Sequence, residues 1–273
     1  MKMNALGINA RNLLGIAPRN GRPAIRLARD KVATKALLTE AGVPVPRTRA
    51  VLRSMWDLDG MARHLSTPAA IKPAAGAAGG GILLLEPMVG GGWRTPGGRT
   101  LDVQEVEAHA AHILHGGFGM GSDDRVLIED LLVPHAEVAG WHGGGIADVR
   151  LIFVDGEFAL AMLRMPTVYS DGKANLHQGG VASAIDTEGR LGPVFDGRTH
   201  APAHPDGAVV EGEILPFWKE VLEVGRSADA ALPLGWSGVD VVVTVDGPVV
   251  LEVNARPGLA IQNVTRQSLT PWL

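Results

Sequence analysis

Hydrophobic and polar positions alternate most regularly between Trp236 and Asn254, where two β-branched runs flank Val245-Asp246-Gly247. This pattern predicts a β-hairpin. Glycine at the third loop position suits a three-residue loop, a type I turn closed by a left-handed glycine. That register sets Thr244 and Pro248 beside the loop and brings Asp240 opposite Glu252. Side chains alternate along a strand, so Asp240, Glu252 and Asn254 share one face with Val242 and Val250. Val241, Val243, Leu251 and Val253 then form the core face. A two-residue loop would instead turn Asp240 and Glu252 to opposite faces.

The same alternation recurs around a second Val-Asp-Gly turn at Val154-Asp155-Gly156, joining residues 147–153 to residues 157–165. The three-residue register puts Asp148 opposite Met162 and Arg150 opposite Leu160, with Arg164 on that face too. Residues 70–72 and 82–85 read as a third hairpin, closed by a glycine-rich loop that ends in Gly79-Gly80-Gly81. A further strand, residues 125–132, ends in Glu129 and Asp130. Helical spacing of apolar residues covers 25–41, stopped by Gly42 and Pro44, and 213–232, with Ile214, Phe217, Trp218, Val221 and Leu222 on one stripe. Asp102 and Glu105 form a capping box for a helix running to Gly116. His109, His112 and His115 lie on that helix, but the outer two are rotated about 120° from each other. They read as a histidine-bearing surface and not as a metal site. Residues 1–24 read as an extended arm with turns, and residues 169–180 and 196–212 as polar loops.

Composition narrows the chemistry. A hydrophobic fraction of 46% with 20% charged residues is that of a globular protein able to bury a full core. The net charge of −4, without a lysine- or arginine-rich block, argues against a nucleic-acid partner. The absence of cysteine excludes disulfides, thiolate metal sites and a thiol nucleophile. Asn9, Arg11 and Asn12 interrupt the N-terminus before a signal-type apolar segment forms, and no apolar run reaches membrane-spanning length. The expected location is the cytoplasm, with no membrane partner.

Two candidate chemistries follow from the residues themselves. Directly opposed Cβ atoms lie roughly 4.5–5.5 Å apart, so facing Asp240 and Glu252 repel unless a cation separates them. With Asn254 they offer hard oxygen donors of the kind Mg²⁺ takes. The ordinary alternative is an exposed polar strand face. The glycine loop is not a P-loop, since no Gly-Lys-Ser/Thr follows it. Its backbone N–H groups can nest phosphate oxygens, with Lys72 as a point charge beside them. A loose glycine loop next to a surface lysine is the other reading.

Four segments together carry a family resemblance: Ile8-Asn9-Ala10-Arg11-Asn12, Met165-Pro166-Thr167, the run Ser170 to Gly179, and Leu251-Glu252-Val253-Asn254-Ala255-Arg256-Pro257-Gly258-Leu259-Ala260. The chain resembles the ATP-grasp superfamily, and within it the RimK-type ligases. The resemblance implies an α+β, ATP-grasp fold: two lobes with antiparallel sheets enclosing ATP, here without the full N-terminal domain of such ligases. The implied division is an arm at 1–29, a first lobe at 30–128 with its flap at 74–81, and a second lobe at 129–273.

By position, the resemblance assigns Lys31 and Lys72 to phosphates and Gly76, Gly79, Gly80 and Gly81 to the flap. Glu129 and Asp130 fall at the adenine-receiving hinge, Asp148 at the ribose, and Lys173 with Asn175 at phosphates. Asp240, Glu252 and Asn254 fall on the Mg²⁺ ligands, with Glu252 able to bridge two ions and Mn²⁺ a substitute metal. The expected activity is ATP-dependent ligation of a carboxylic acid to an amine through an acyl phosphate, for example addition of glutamate. Arg150, Arg164, Arg256 and Lys173 are the candidate catalytic residues. The alternatives are a small-molecule amino acid ligase without a protein acceptor and a non-catalytic ATP-binding regulator. The expected partners are ATP, the acid and the amine, with a second copy or a partner subunit in place of the missing domain.

Overall fold

The computed structural model describes residues 4–76, 80–119 and 123–273, which fall into two compact bodies. The smaller holds Arg29–Val32 and Pro46–Leu132. The larger holds residues 4–28, Ala33–Val45 and Val133–Leu273.

The N-terminal residues are helical where an extended arm was expected. Ile8–Ala10 is α-helical, Arg11–Ile16 forms a π-helical stretch and Ala17–Arg19 returns to α. Packing decides the outcome. Ile16 and Gly15 are buried beside the fully buried indole of Trp236, where a Cβ on Gly15 would come within 2.7 Å of the ring. The helix expected over 25–41 is two helices, α1 (Arg22–Arg29) and α2 (Lys31–Glu40). Asp30 separates them. Its carboxylate accepts from the N–H of Val32 at 3.1 Å, competing with helix continuation as a cap does.

In the smaller body, β1 (Thr48–Leu52), β2 (Ala69–Pro73), β3 (Leu83–Pro87), β4 (Trp93–Arg94), β5 (Thr100–Leu101) and β6 (Val126–Asp130) form one antiparallel sheet in the order β1-β6-β2-β3-β4-β5. Helix α3 (Val103–Leu114) begins with the expected capping box of Asp102 and Glu105. Its residues Val106, Ala110 and Ile113, spaced to share one stripe, are fully buried in one core with Ile71 and Ile128 of the sheet.

In the larger body the strands are β7 (Asp148–Val154), β8 (Glu157–Met165), β9 (Val181–Ile185), β10 (Leu191–Phe195), β11 (His200–Ala201), β12 (Trp236–Thr244) and β13 (Gly247–Asn254). They pair antiparallel in the order β11-β10-β9-β8-β7-β12-β13. Helix α4 (Trp218–Ala230) packs on one face of this sheet. It is shorter than the 213–232 expected from periodicity. Ile214 instead bridges to Arg190, and the N–H of Leu215 donates to Gly189, so the chain before Trp218 is committed to sheet-like contacts. Ile214 and Phe217 are exposed, and the buried stripe is Trp218, Val221, Gly225 and Ala228. Strands β9 and β10 were not expected from the pattern.

Gly225 sets how closely α4 approaches the sheet. A Cβ there would lie 2.3 Å from Cδ1 of Leu151 and 3.3 Å from Cζ of Phe153, both fully buried. Replacing it with valine overpacks this contact. The Gly225→Val variant is expected to lose about 2 kcal/mol of unfolding free energy in urea titration, and an unchanged midpoint would show that the contact yields freely.

The other face of the sheet is covered at one end by the N-terminal helical segment and the short helix Ile261–Thr265. Ile152, Val154 and Trp236 are buried there with Ile16, Ile261 and Val264. Asn20 ties this cover down. Its Oδ1 accepts from the N–H groups of Gly235 and Trp236 at 3.0 Å, and its Nδ2 donates to the carbonyls of Trp236 and Ala255 at 2.7 and 2.9 Å. Alternation along β7 carries Asp148 and Arg150 onto this same face, beyond the apolar cluster. Among the described residues no helix is long and apolar enough to cross a membrane.

Candidate active site

Asp240 and Glu252 are directly opposed, as expected, but by a different route. The hairpin tip is the two-residue loop Val245-Asp246, with Gly247 paired to Thr244, and a bulge beside Asp240 restores the opposition. The bulge moves Val250 onto the core face, where it is fully buried with Val241 and Val253, and leaves Leu251 partly exposed. The expected places of Val250 and Leu251 are thereby exchanged. The β7–β8 hairpin behaves alike. Its loop is the two-residue Asp155-Gly156, both at positive φ (51° and 83°) as a primed turn requires. A bulge between Ile152 and Phe153 then sets Asp148 opposite Arg164 and Arg150 opposite Met162. The expected partners, Met162 and Leu160, are displaced by two residues, which preserves the face.

Four adjacent strands therefore carry a row of charges on one face. Arg150 lies directly opposite Asp240 and grips its carboxylate with two nitrogens, Nη2 at 2.7 Å and Nε closer still. Arg164 donates through Nε to Asp148 at 2.6 Å, through Nη2 to Asp240 at 2.9 Å and through Nη1 to the side-chain oxygen of Asn175 at 3.2 Å. Asn254 donates to Asp240 at 3.3 Å and to Glu252 at 3.1 Å. Asp148, Arg150, Arg164 and Asp240 are all buried, and Asp240 is only 2% exposed.

Burial and charge pull these groups in different directions. Burial would raise the pKa of Asp240, but Arg150 and Arg164 outweigh it and hold the carboxylate below its ordinary range. Asp148 is pushed up to about 6, first by burial and then by the charge of Asp240, with Arg164 and Arg150 pulling the other way. Burial opposes the charge of Arg164, yet Asp148 and Asp240 more than compensate and raise its pKa.

Lys173 and Asn175 sit half-buried in the loop after β8, and Asn175 is the one joined to the charged row. This loop is braced by Thr167, whose hydroxyl donates to Gly179 at 2.8 Å, and by His204, whose Nε2 meets the carbonyl of Pro166 at 2.9 Å. His142 packs near His204, and burial lowers the pKa of both, His142 further by the charge of His204. The folded state thus refuses protons that the unfolded chain accepts below a pKa of about 6.5. Their contribution to stability is complete above that pH and is lost as pH falls through it. In a His142→Gln/His204→Gln variant, the dependence of unfolding free energy on pH between 7 and 5 is expected to be shallower than in the wild type. Equal slopes in urea titrations would contradict this assignment.

The smaller body brings together Lys72 and Glu129, which form a buried ion pair from adjacent strands. Asp130 is held by Arg49 at 2.5 Å and Arg47 at 3.1 Å. Burial would raise its pKa, and the two arginines outweigh burial and lower it. Lys31 begins α2, where its Nζ donates to the carbonyl of Gly76 at 2.5 Å and its N–H to that of Ala74 at 2.9 Å. Asp124 accepts from the N–H of Ala75 at 3.0 Å. Gly81 adopts φ +75°, and a Cβ there would come within 2.6 Å of Phe118, while its carbonyl lies 2.9 Å from Nε2 of His109. The glycine loop is thus fastened at both ends, and Gly80 lies beside the second fastening. Gly79, assigned to the flap, lies outside the described residues. The pattern of the sequence did not single out Asp124 or Phe118, and His109 had been read as surface.

Two antiparallel sheets with this strand order define the ATP-grasp fold. Phosphoribosylamine–glycine ligase from Thermotoga maritima shares it, with a TM-score of 0.52 and 17% identity over 90% of this chain and 53% of its own. The chain belongs to the sugar-transfer associated ATP-grasp family, whose profile matches residues 13–273. It is 27% identical over 250 residues to a probable alpha-L-glutamate ligase 2 from Pseudoalteromonas atlantica. It is also 27% identical over 248 residues to a ribosomal protein bS6–L-glutamate ligase from Salmonella paratyphi B. Each match covers 90% of this chain and 62% of the relative, so the chain spans less than two thirds of their length.

Proposed function

We propose that the protein is an ATP-dependent carboxylate–amine ligase, and the charged row ending in Asp240, Glu252 and Asn254 is the observation that carries this reading. Two opposed carboxylates and an amide make a hard-oxygen donor set suited to Mg²⁺. The fit concerns Glu252 and Asn254 first, because both oxygens of Asp240 already accept from arginines. No group of three or more His, Cys, Asp and Glu side chains suited to a metal occurs among the described residues, so Asn254 is needed to complete the set. Bound there, Mg²⁺ would supply charge neutralisation for phosphate oxygens. Glu252 would also be the carboxylate available to a second ion.

The proposed reaction has two displacements. A carboxylate oxygen of the acid attacks the γ-phosphorus of ATP, the bond to the bridging oxygen breaks, and ADP leaves with the electron pair. The amine nitrogen then attacks the acyl carbon, phosphate departs, and the amine proton passes to solvent. Such chemistry needs positioning and charge stabilisation more than a protein nucleophile. Arg150 and Arg164 hold Asp240 and Asp148 in register. Arg256, exposed in the turn after β13, is assigned to the substrate carboxylate, with which a guanidinium can pair bidentately. Lys173 and Asn175 are assigned to phosphate oxygens, and Asp148 to the ribose. On the smaller body Lys31, Lys72 and the glycines Gly76, Gly80 and Gly81 are assigned to phosphates. The end of β6 at Glu129 and Asp130 is assigned to the adenine. With both carboxylates engaged by cations, that end would offer mainly backbone groups.

The relatives named as glutamate ligases support an amino acid such as glutamate as the amine. The reading is tested by ADP release from Mg²⁺-ATP across a panel of carboxylic acids with hydroxylamine present. Acid-dependent turnover trapped as a hydroxamate is the expected result. ATP binding with no acid accelerating ADP release would remove the ligase reading and leave a nucleotide-binding protein. Repeating the assay with free amino acids and with a glutamate-ended peptide separates a small-molecule acceptor from a protein acceptor.

A further inference from the structure

Arg11 is the least expected charge in the protein. It is 5% exposed and lies at the start of the π-helical stretch. Its Nε and Nη2 donate to the side-chain oxygen of Asn12 at 3.2 and 2.9 Å, and its Nη1 donates to the carbonyl of Pro257. All of these acceptors are neutral. Among the described residues Arg11 has no ion pair, and the charge that acts on it is another positive one, that of Arg256. Burial first and Arg256 second lower its pKa. Buried charges are ordinarily matched by opposite ones, because desolvation without a counter-charge is expensive.

Arg256 is held beside this buried cation by its own backbone. The carbonyl before it, on Ala255, accepts from Asn20, and the carbonyl after it, on Pro257, accepts from Arg11. Both clamps come from the N-terminal helical segment. Gly238 lets this turn approach the sheet, since a Cβ there would come within 2.6 Å of Pro257. The side chain of Arg256 is exposed and has no ion pair among the described residues. The π-helical stretch adds a second sign, because such departures from α geometry are rare and occur often at functional sites.

We propose that Arg11 and Arg256 form an oxyanion subsite for a carboxylate or phosphoryl group of a ligand. Arg11 supplies a fixed, buried charge and Arg256 an exposed guanidinium that can pair with the anion bidentately. An anion here supplies the counter-charge that both residues lack. That the anion belongs to a substrate rests on the ligase reading, whereas anion binding itself does not.

The test is calorimetric titration of the full chain, without nucleotide, with sodium glutarate and separately with inorganic phosphate at matched ionic strength. The expected result is saturable binding of at least one probe, weakened roughly tenfold or more in Arg256→Gln. Arg11→Lys keeps the charge but loses the fork, and is expected to weaken binding too. A further readout needs no ligand: Arg256→Gln relieves the repulsion on Arg11 and should raise the thermal midpoint of the unliganded protein, while gaining less from added probe. Binding of phosphate alone assigns the site to a phosphoryl group, and of glutarate alone to a carboxylate. No binding of either probe to the wild type, or equal affinity in Arg256→Gln, overturns the proposal. Because neither probe needs turnover, a protein that binds glutarate yet releases no ADP would lose the ligase reading and keep the subsite.

Discussion

Replacing Arg164 with leucine is expected to remove about 3–5 kcal/mol of unfolding free energy at pH 8. Arg164 is the buried cation shared between Asp148 and Asp240. Without it, Asp148 keeps neither its ion pair nor its Nε hydrogen bond, and Asp240 retains Arg150 as its paired cation. The size of the effect comes less from the attraction lost than from the carboxylate left dehydrated. The loss should be smaller at pH 5. In the wild type Asp148 is already pushed up to about 6, so the folded state binds a proton that an unfolded aspartate releases. Removing Arg164 strengthens that tendency, and the carboxyl escapes its penalty by protonation as pH falls. Adding Asp148→Asn to the leucine variant should restore part of the loss at pH 8. A loss below about 1 kcal/mol, or one independent of pH, would show that water reaches these groups and that the row is not electrostatically tight.

Glu252→Gln is expected to reduce acid-dependent ADP formation by roughly 10²-fold or more, the scale for removal of one preorganised charge-stabilising group. Its effect on folding should have the opposite sign. Glu252 stands directly across from Asp240, and like charges so placed are destabilising. Neutralising one of them leaves the unliganded protein equally stable or slightly more stable in urea titration. This pairing of outcomes separates a functional carboxylate from a structural one. If turnover and stability fell together, Glu252 would be part of the scaffold, and the metal assignment would pass from it. If turnover survived, the cation would have to be held elsewhere.

Local alternation and helix capping went far toward this architecture, whereas both Val-Asp-Gly turns close as two-residue loops and not as the three-residue loops expected. The β-branched runs around Asp246, the Asp102–Glu105 capping box and the strand–glycine–strand order from Ala70 to Leu85 each have a physical cause confined to a few neighbouring residues. What could not be read was whatever depends on distant packing. The helix through Ile214 fails because that residue finds a strand partner in Arg190. The N-terminal segment is helical because Gly15 and Ile16 meet Trp236, more than two hundred positions away. Of the candidate site, the shared face of Asp148, Arg150 and Arg164 was legible and their mutual ion pairs were not, since a strand pattern says which side a group faces and nothing about its reach. Arg11 was visible only as part of a motif, and its missing counter-charge emerges only once its burial is known.

The bulges in the two long hairpins give them a kind of parity control. Each tip is a two-residue turn whose count alone would send the polar groups of one strand to the wrong side, and each bulge restores the even count before the charged row is reached. Length changes on the two sides of a bulge therefore have unequal meaning. At Asp155-Gly156 or Val245-Asp246 the chain can be retuned, lengthened or used to carry an inserted peptide with the row undisturbed. Deleting Leu251, the extra residue of the bulge, would leave a regular ladder with Val250 opposite Val241 and Glu252 still opposite Asp240, whereas deleting Val253 beyond the bulge would carry Asn254 onto the core face. The hairpin tips are thus free to diverge, and the spacing from Glu252 to Asn254 is the one that is counted.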